Sequence, residues 1–307
     1  MAVTSEVPPT AELELASWRE AENFLSDADT ESILSFAITN NVLELDGILG
    51  DIAARHEATK GVLLLRARDS EGRNAVHYAA IGHANDTLEY LLDPELFPGQ
   101  PHLHLALFYL KNNNGENTAL YAIRQRCPPA FLDRILTLTG RDLLRETNND
   151  GLGPLHCAAA YDAGELLRHL VAHHHLDPNG RLGTSPRASP LQSSVFLPEE
   201  GDTPLHLAAR YNAASAFEAL YGDLRADSLV RNRAGDTPFH VAAKVDAKAV
   251  LAYLSGLPEK LASAGAGGGG GGCGDGEKGQ GGQEQEMRDN TRDGDAEESD
   301  DVISEIS

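Results

Sequence analysis

The stretch that decides the fold is GDTPLHLAAR at residues 201–210, which recurs as GDTPFHVAAK at residues 235–244. Looser copies read GRNAVHYAAI from Gly72, ENTALYAIR from Glu116 and GLGPLHCAAA from Gly151. The position that holds histidine in most copies is occupied by His77, Tyr121, His156, His206 and His240, at intervals of 44, 35, 50 and 34 residues. A phrase that repeats in this way indicates a chain built from stacked copies of one small structural unit.

Each copy carries the signals of a short helix. Thr203 and Thr237 suit the N-cap position, and the prolines that follow them suit the first helical position, where a missing N–H costs nothing. Asn74 and Thr118 can cap in the same way, whereas Gly153 is a weaker cap. A polar turn precedes each copy. A second helix with apolar periodicity is predicted after each one, at Leu88–Leu92, Phe131–Leu138, Leu166–Val171, Phe217–Tyr221 and Val250–Leu254.

These copies resemble the ankyrin-repeat family, whose unit of about 33 residues carries T-P-L-H-x-A at the start of its first helix. The resemblance extends over roughly residues 30–262 and implies an all-α solenoid of about six units with β-turn fingers. The first unit is divergent: Leu34 aligns with Leu205, Ser35 occupies the histidine position, and Val42–Ala54 supplies the second helix. A polar residue at that position suits a capping repeat.

The chain divides into an arm, an array and a tail. Residues 1–29 are predicted to form an N-terminal arm in which Thr10–Leu25 is an amphipathic helix, either docked over the end of the array or free to bind a partner; disorder is the third alternative. The array is predicted at 30–263 with long insertions near 93–111 and 173–200. The first insertion is apolar and predicts a lengthened second helix or an added short helix. The second is rich in proline and predicts an irregular surface loop.

Residues 264–307 are predicted to be a disordered, Gly-rich acidic tail. From Gly265 onward the chain has 12 acidic and three basic residues, and it has no Leu, Phe, Tyr or Trp after Leu261. Such a segment cannot bury enough apolar surface to offset the entropy of ordering.

The net charge of the 307 residues is −22, which argues against binding to nucleic acid or to an anionic membrane. No run approaches the roughly 18 apolar residues that a membrane span needs, and Met1–Thr10 has no features of a secretory signal. Three cysteines are too few and too scattered for a disulfide framework or a zinc cluster. We expect a monomer of the cytoplasm or the nucleus that needs no cofactor.

Several residues could carry chemistry. The recurring histidine favours a structural role, since an active site needs one special copy, and Cys157 beside His156 favours a packed small hydrophobe. Glu165, His169 and His173 lie four residues apart and could place three metal ligands on one helix face, although a solvated face is the plainer interpretation. Candidate phosphorylation sites lie in the second insertion, at Thr184, Ser185 and Ser189.

The sequence contains no signature of an enzyme. The resemblance implies a non-catalytic module for protein–protein interaction, as an adaptor, scaffold or inhibitor, that binds its partner on the concave surface of the solenoid. Alternatives are a metal-binding or enzymatic protein that uses the Glu165 face, and an inhibitor that acts through its acidic tail. The predicted partner-binding residues are Glu71, Arg73, Asn117, Asp150, Asp202, Arg210, Tyr211, Arg233, Asp236 and Lys244.

Overall fold

The computed structural model describes residues 25–99, 103–183 and 198–256, and all regular secondary structure in these ranges is helical. The described residues form six units, each with a first and a second helix. The pairs are α1 (Asp27–Ile38) with α2 (Val42–His56), α4 (Ala75–Gly82) with α5 (Asn85–Leu91), α7 (Thr118–Arg124) with α8 (Pro129–Thr139), α9 (Pro154–Ala160) with α10 (Gly164–His174), α11 (Pro204–Arg210) with α12 (Ala214–Phe217), and α13 (Pro238–Lys244) with α14 (248–256). The predicted all-α array of about six units is therefore confirmed.

Shorter helical segments lie between some of the units. They are α3 (Lys60–Arg66), α6 (Leu103–Tyr109), the 3₁₀ turns Pro94–Leu96 and Arg141–Arg145, and the π-helix Glu218–Asp223 that continues α12. Within the same ranges, no helix is long and apolar enough to cross a membrane.

The first helices stack on one another in chain order, from α1 to α4, α7, α9, α11 and α13. Pairs of small residues line this stack, and Ala79, Ala158 and Ala208 are completely buried in it. Because alanine side chains are small, they let neighbouring helices approach closely. Larger side chains beside them, such as Leu205, are then also buried. The second helices contact their neighbours in the same order, so each unit buries its apolar face against the next.

The first helices begin where the sequence predicts. The Thr203 and Thr237 side chains form capping boxes with the histidine three residues later, and each is followed by proline at the first helical position. Asn74 forms the same box with His77. In the third unit the cap is Asn117, whose Oδ1 accepts a hydrogen bond from the backbone N–H of Leu120 at 2.9 Å. The prediction of Thr118 as this cap was wrong by one residue.

The turn between the two helices of each unit contains a non-glycine residue with positive φ. These residues are Asn40, His83, Arg126, Asp162, Asn212 and Asp246, with φ between 51° and 57°. Three of the side chains cap the second helix of the following unit. The Oδ1 atoms of Asn40, Asp162 and Asn212 accept hydrogen bonds from the backbone N–H groups of Thr87 (3.1 Å), Ala216 (2.9 Å) and Ala249 (2.8 Å). Neighbouring units are thus joined by hydrogen bonds as well as by apolar packing.

The first insertion is an added short helix, one of the two predicted alternatives. The second helix α5 ends at Leu91, and the added α6 buries Leu103, Leu107 and Phe108 and contacts the corresponding segment α3 of the previous unit. The second insertion has no regular structure where it is described, at 175–183 and 198–203. Its two ends meet, because the Leu182 N–H donates to the Asp202 carbonyl at 2.8 Å.

The first unit has the divergent character that the sequence predicts. Leu34 and Ala37 of α1 are buried, whereas Ser35, at the histidine position, faces solvent. Helix α1 begins at Asp27 after the N-cap Ser26, and α2 extends to His56, two residues beyond its predicted end. The exact limits of the predicted domains remain predictions.

Candidate functional site

A tight turn, here called a finger, precedes the first helix of each of the last five units. The fingers are residues 69–73, 112–116, 148–152, 199–202 and 232–236. In the first, the Asp69 N–H donates to the Arg73 carbonyl at 3.1 Å and the Gly72 N–H donates to the Asp69 carbonyl at 2.9 Å. The glycine of each finger has positive φ, and at Gly115 a Cβ atom would collide with the side chain of Asn149 in the next finger. Glycine is therefore required at this position.

Three pairs of neighbouring fingers are joined through their backbones. The N–H of Asn113 donates to the carbonyl of Glu71 at 2.8 Å, and the N–H of Asn149 donates to the carbonyl of Asn114 at 2.9 Å. The N–H of Arg233 donates to the carbonyl of Glu200, also at 2.9 Å. These bonds fix the spacing between fingers, so the side chains that they present have defined positions.

We call the fingers and the C-terminal ends of the first helices the finger face. Of the predicted partner-binding residues on this face, four are exposed: Glu71, Tyr211, Arg233 and Lys244. Arg73, Asp150 and Asp236 are half-buried. Arg73 is also held in place, because its Nε donates to Asp69 Oδ2 at 2.6 Å and its Nη1 donates to the Tyr121 hydroxyl at 3.2 Å.

Three of the predicted residues are buried, which corrects the expectation that they lie on the surface. Asn117 is fully occupied as the cap of α7, and its amide donates to the Leu143 carbonyl at 3.0 Å. Asp202 is completely buried and Arg210 is 3% exposed, because Arg210 Nη2 donates to Asp202 Oδ2 at 3.0 Å inside the array. We therefore remove Asn117, Asp202 and Arg210 from the proposed contact set.

The recurring histidine ties one unit to the next. The backbone N–H of Thr203 donates to Nδ1 of His206 at 3.1 Å, and Nε2 of His206 lies 3.0 Å from the carbonyl of Asp236 in the following finger. His77 repeats this arrangement with the carbonyl of Glu116, at 3.2 Å. Because both ring nitrogens are engaged with structural partners, these histidines act as links between units. This agrees with the structural role predicted for the position.

The comparisons with known proteins agree with this geometry. Residues 192–251, which span the two clearest copies of the repeated phrase, match the family model for ankyrin repeats in many copies. The fingers and paired helices of that segment recur through the described array, and its capping box recurs at Asn74. The matched segment belongs to the ankyrin-repeat family. Ankyrin repeats are generally modules of protein–protein interaction, and proteins built from them are typically non-enzymatic.

The solved structures that are similar to this chain include the following two. One is the ankyrin repeat domain of Bcl-3, described as a unique member of the IkappaB protein family, with a TM-score of 0.49, 15% identity, and coverage of 76% of this chain and 86% of that one. The other is the ankyrin repeat protein EF0377, with a TM-score of 0.45, 17% identity, and coverage of 74% of this chain and 97% of that one. No curated protein matches the chain.

Cys157 of this ankyrin array has the environment of a core residue. Cys157 lies on α9, its side chain is completely buried in the stack, and burial raises the pKa of the thiol far above its usual range. Burial likewise raises the pKa of Cys127, to about 12. A thiol that stays protonated is a poor nucleophile, so the interpretation of Cys157 as a packed small hydrophobe agrees with the structure.

The predicted metal-binding trio is not the group that the structure brings together. Residues spaced by four along a helix rise about 6 Å per step, so Glu165 and His173 are about 12 Å apart along α10. Among the described residues, the ligand atoms that converge belong instead to Asp133, His169 and His174. Sequence reasoning missed Asp133 because it lies on the neighbouring helix α8, 36 residues before His169.

Asp133 accepts hydrogen bonds from both histidines at one oxygen. Its Oδ1 lies 2.8 Å from Nε2 of His169 and 2.9 Å from Nε2 of His174. Burial opposes ionisation of the carboxyl group, but the hydrogen bonds from the two imidazoles outweigh it and lower the pKa of Asp133. The ring of His173 packs against that of His169, with the ring centroids 4.6 Å apart.

Other predicted sites lie outside the described residues. They are the phosphorylation candidates Thr184, Ser185 and Ser189, the amphipathic segment Thr10–Leu25 apart from its last residue, and the acidic tail 264–307.

Proposed function

We propose that this ankyrin-repeat protein is a non-catalytic recognition module, an adaptor, scaffold or inhibitor, that binds a protein partner on its finger face. The observation that carries the proposal is the row of exposed finger side chains held on backbones that are hydrogen-bonded to each other. Such pre-organisation lowers the entropy lost on binding, because the partner meets side chains whose backbones are already ordered.

The chemistry of the face suits recognition of a polar partner. Glu71 and Arg233 are exposed at finger tips, and the Arg233 side chain is 75% exposed although it forms an ion pair with Glu200 of the preceding finger. Tyr211, at the C-terminal end of α11, is 39% exposed. Partial burial raises the pKa of Tyr211 to about 12, so its hydroxyl remains a hydrogen-bond donor.

Tyrosine and arginine are the residue types that most often carry binding energy in interfaces. Acidic and amide side chains predominate among the other exposed or half-buried finger residues, including Asn114, Asp150 and Glu200. Together these features favour a partner that presents basic or mixed polar groups around an apolar contact for Tyr211.

Features of the described core argue for binding over catalysis. The histidines that could act as general bases, His77 and His206, are engaged between units, and the Cys157 thiol is buried and protonated. The finger face therefore offers surface chemistry for recognition, while His77 and His206 hold units together and Cys157 packs in the core.

The test uses the full chain as bait. Partners captured by the wild type from native lysate are identified, and the affinity of the purified partner is then measured for Tyr211→Ala/Arg233→Ala. We expect the dissociation constant to rise at least about tenfold, as loss of interface hot spots does. The matched control is Leu229→Ala/Lys248→Ala, which removes a 78% exposed apolar residue and a cation whose side chain is 84% exposed, both outside the finger face.

Circular dichroism should show the same helix content for all variants. Equal affinity of the wild type and the Tyr211→Ala/Arg233→Ala variant would contradict the proposal. The proposal would also be contradicted if deletion of 184–197 or 264–307 abolished binding while the Tyr211→Ala/Arg233→Ala variant still bound the partner. Recognition would then lie in the loop or the tail.

A further inference from the structure

Three metal-ligating side chains meet between two neighbouring second helices. Asp133 comes from α8 of the third unit, and His169 and His174 come from α10 of the fourth. Their ligand atoms, one carboxylate oxygen and two imidazole nitrogens, all lie within 4.8 Å of one another. The side chains of His169 and His174 are 15% and 6% exposed, whereas that of Asp133 is 45% exposed. The cluster is therefore built into the junction and open to solvent at the carboxylate.

We propose that Asp133, His169 and His174 form a Zn²⁺ site that joins the third and fourth units. This site lies on the second helices, apart from the residues of the finger face.

The distances fit zinc coordination after a small movement. Zinc binds imidazole nitrogen and carboxylate oxygen at about 2.0–2.2 Å, so two ligands of a tetrahedral site are about 3.3 Å apart. Oδ1 of Asp133 is now 2.8 Å and 2.9 Å from the two Nε2 atoms. Replacing the two N–H donors by one cation requires these atoms to separate by about half an ångström, which a partly exposed carboxylate can accommodate.

The donor set favours zinc over the hard cations. Two imidazoles and one carboxylate are ligands typical of zinc, whereas calcium and magnesium prefer oxygen ligands alone. Three protein ligands leave the fourth tetrahedral position to water, and the exposed side of Asp133 gives access for it.

The surrounding charges do not repel a cation. Arg134 and Arg168 are the arginines next in sequence to the ligands, and each is engaged by a carboxylate. Arg134 forms an ion pair with Glu89, and Arg168 Nε lies 2.6 Å from Asp223 Oδ2. Because these guanidinium groups are neutralised locally and the chain carries a net charge of −22, the electrostatic background favours binding of a divalent cation.

A site with ligands from two units would stabilise the junction between them. Zinc binds the folded array, in which the three side chains converge, more tightly than the unfolded chain, in which they do not. Zinc should therefore raise the thermal midpoint of unfolding.

The test is titration of the full, chelator-treated chain with ZnCl₂, followed by isothermal calorimetry and thermal unfolding. We expect one zinc ion to bind at this site and the thermal midpoint to rise. His169→Ala/His174→Ala should lose this binding, and Asp133→Asn, which keeps a hydrogen-bond acceptor but removes the negative charge, should weaken it at least tenfold.

The matched control is His175→Asn, which removes the adjacent exposed histidine. Asn tolerates the positive φ of 57° at this position, so the fold should be retained along with zinc affinity and the zinc-dependent rise in midpoint. Replacement of Zn²⁺ by Co²⁺ should give the visible absorption of a tetrahedral cobalt centre in the wild type and the control only. Absence of zinc binding in the wild type, or equal affinity in His169→Ala/His174→Ala, would overturn the proposal.

Discussion

At the scale of single residues, the turns between the paired helices use side chains where glycine would be the conformationally easy choice. Asn212 has φ 56°, a region that costs most L-residues about 1–2 kcal/mol but that asparagine tolerates. Its Oδ1 accepts hydrogen bonds from the N–H groups of Ala249 (2.8 Å) and Val250 (3.2 Å) at the start of α14. One residue therefore closes the turn of its own unit and caps a helix of the next.

The two roles of Asn212 can be separated by substitution. Asn212→Gly keeps the backbone conformation but loses the cap, so we expect it to lower the free energy of unfolding by about 1 kcal/mol. Asn212→Ala loses the cap and also strains the turn, so we expect a loss of about 2–3 kcal/mol. Chemical denaturation followed by circular dichroism measures both values.

Asn212→Asp is the control, since it retains an acceptor oxygen for both N–H groups and should stay within about 0.5 kcal/mol of the wild type. An alanine variant no less stable than the glycine variant would show that the positive φ carries no strain here.

At the scale of the helix, the same ion-pair spacing recurs in different environments. An acidic finger residue pairs with a basic residue eight positions later, at the end of the first helix, in Asp202–Arg210 and in Asp236–Lys244. Asp202 is completely buried and also accepts from the Asn232 amide at 2.8 Å. The Lys244 side chain, at the end of α13 in the sixth unit, is 58% exposed. Burial therefore makes the first pair far more sensitive to substitution.

Removal of the cation should reveal this difference. Arg210→Ala leaves the Asp202 carboxylate buried without its charge partner, and we expect it to lower the free energy of unfolding by about 3–5 kcal/mol. Lys244→Ala, the matched substitution in the pair whose cation is exposed to solvent, should cost less than about 1 kcal/mol. Urea denaturation of both variants provides the comparison, and similar losses in the two would refute the assigned role of burial.

The pair Asp202–Arg210 also shows what could not be predicted from the sequence. The repeated phrase specifies the caps, the prolines and the small residues of each first helix, because those signals are local. The burial of Asp202 and Arg210 depends on Asn232 in the following finger and on the return of the second insertion, which local patterns do not contain. Asp133 was not predicted for the same reason, because the histidines that contact it lie on another helix, α10.

At the scale of the whole molecule, the histidine links make the array sensitive to acid. Burial lowers the pKa of His77 to about 4, and burial also lowers the pKa values of His156 and His206. Protonation of His77 would charge a completely buried ring that lies between two units. In the unfolded chain the same histidines bind protons below about pH 6.5. Acid therefore favours the unfolded state at several junctions of the array.

The expected dependence of stability on pH follows from the lowered pKa values of these histidines. Above about pH 6.5 the histidines are neutral in both states, so their contribution to stability is fully present. Between about pH 6.5 and 4 the unfolded chain binds protons that the folded array does not, so the free energy of unfolding falls as the pH falls. The carboxyl groups whose pKa values are lowered from 3.8, such as Asp29 and Asp69, begin to lose their contributions only below about pH 5. The window between about pH 6.5 and 5 thus isolates the histidines, and below it only the comparison with a histidine variant does so.

His77→Gln tests the contribution of one of these histidines. Glutamine can replace part of the hydrogen bonding to Asn74 and Glu116 but does not bind a proton, so the variant should be less stable than the wild type at pH 7.5. Between pH 6.5 and 4 its free energy of unfolding should fall by roughly 3 kcal/mol less than that of the wild type, and the two curves should converge. Denaturation curves at closely spaced pH values measure both slopes, and parallel curves for the two proteins would show that His77 is not the group that makes the array sensitive to acid.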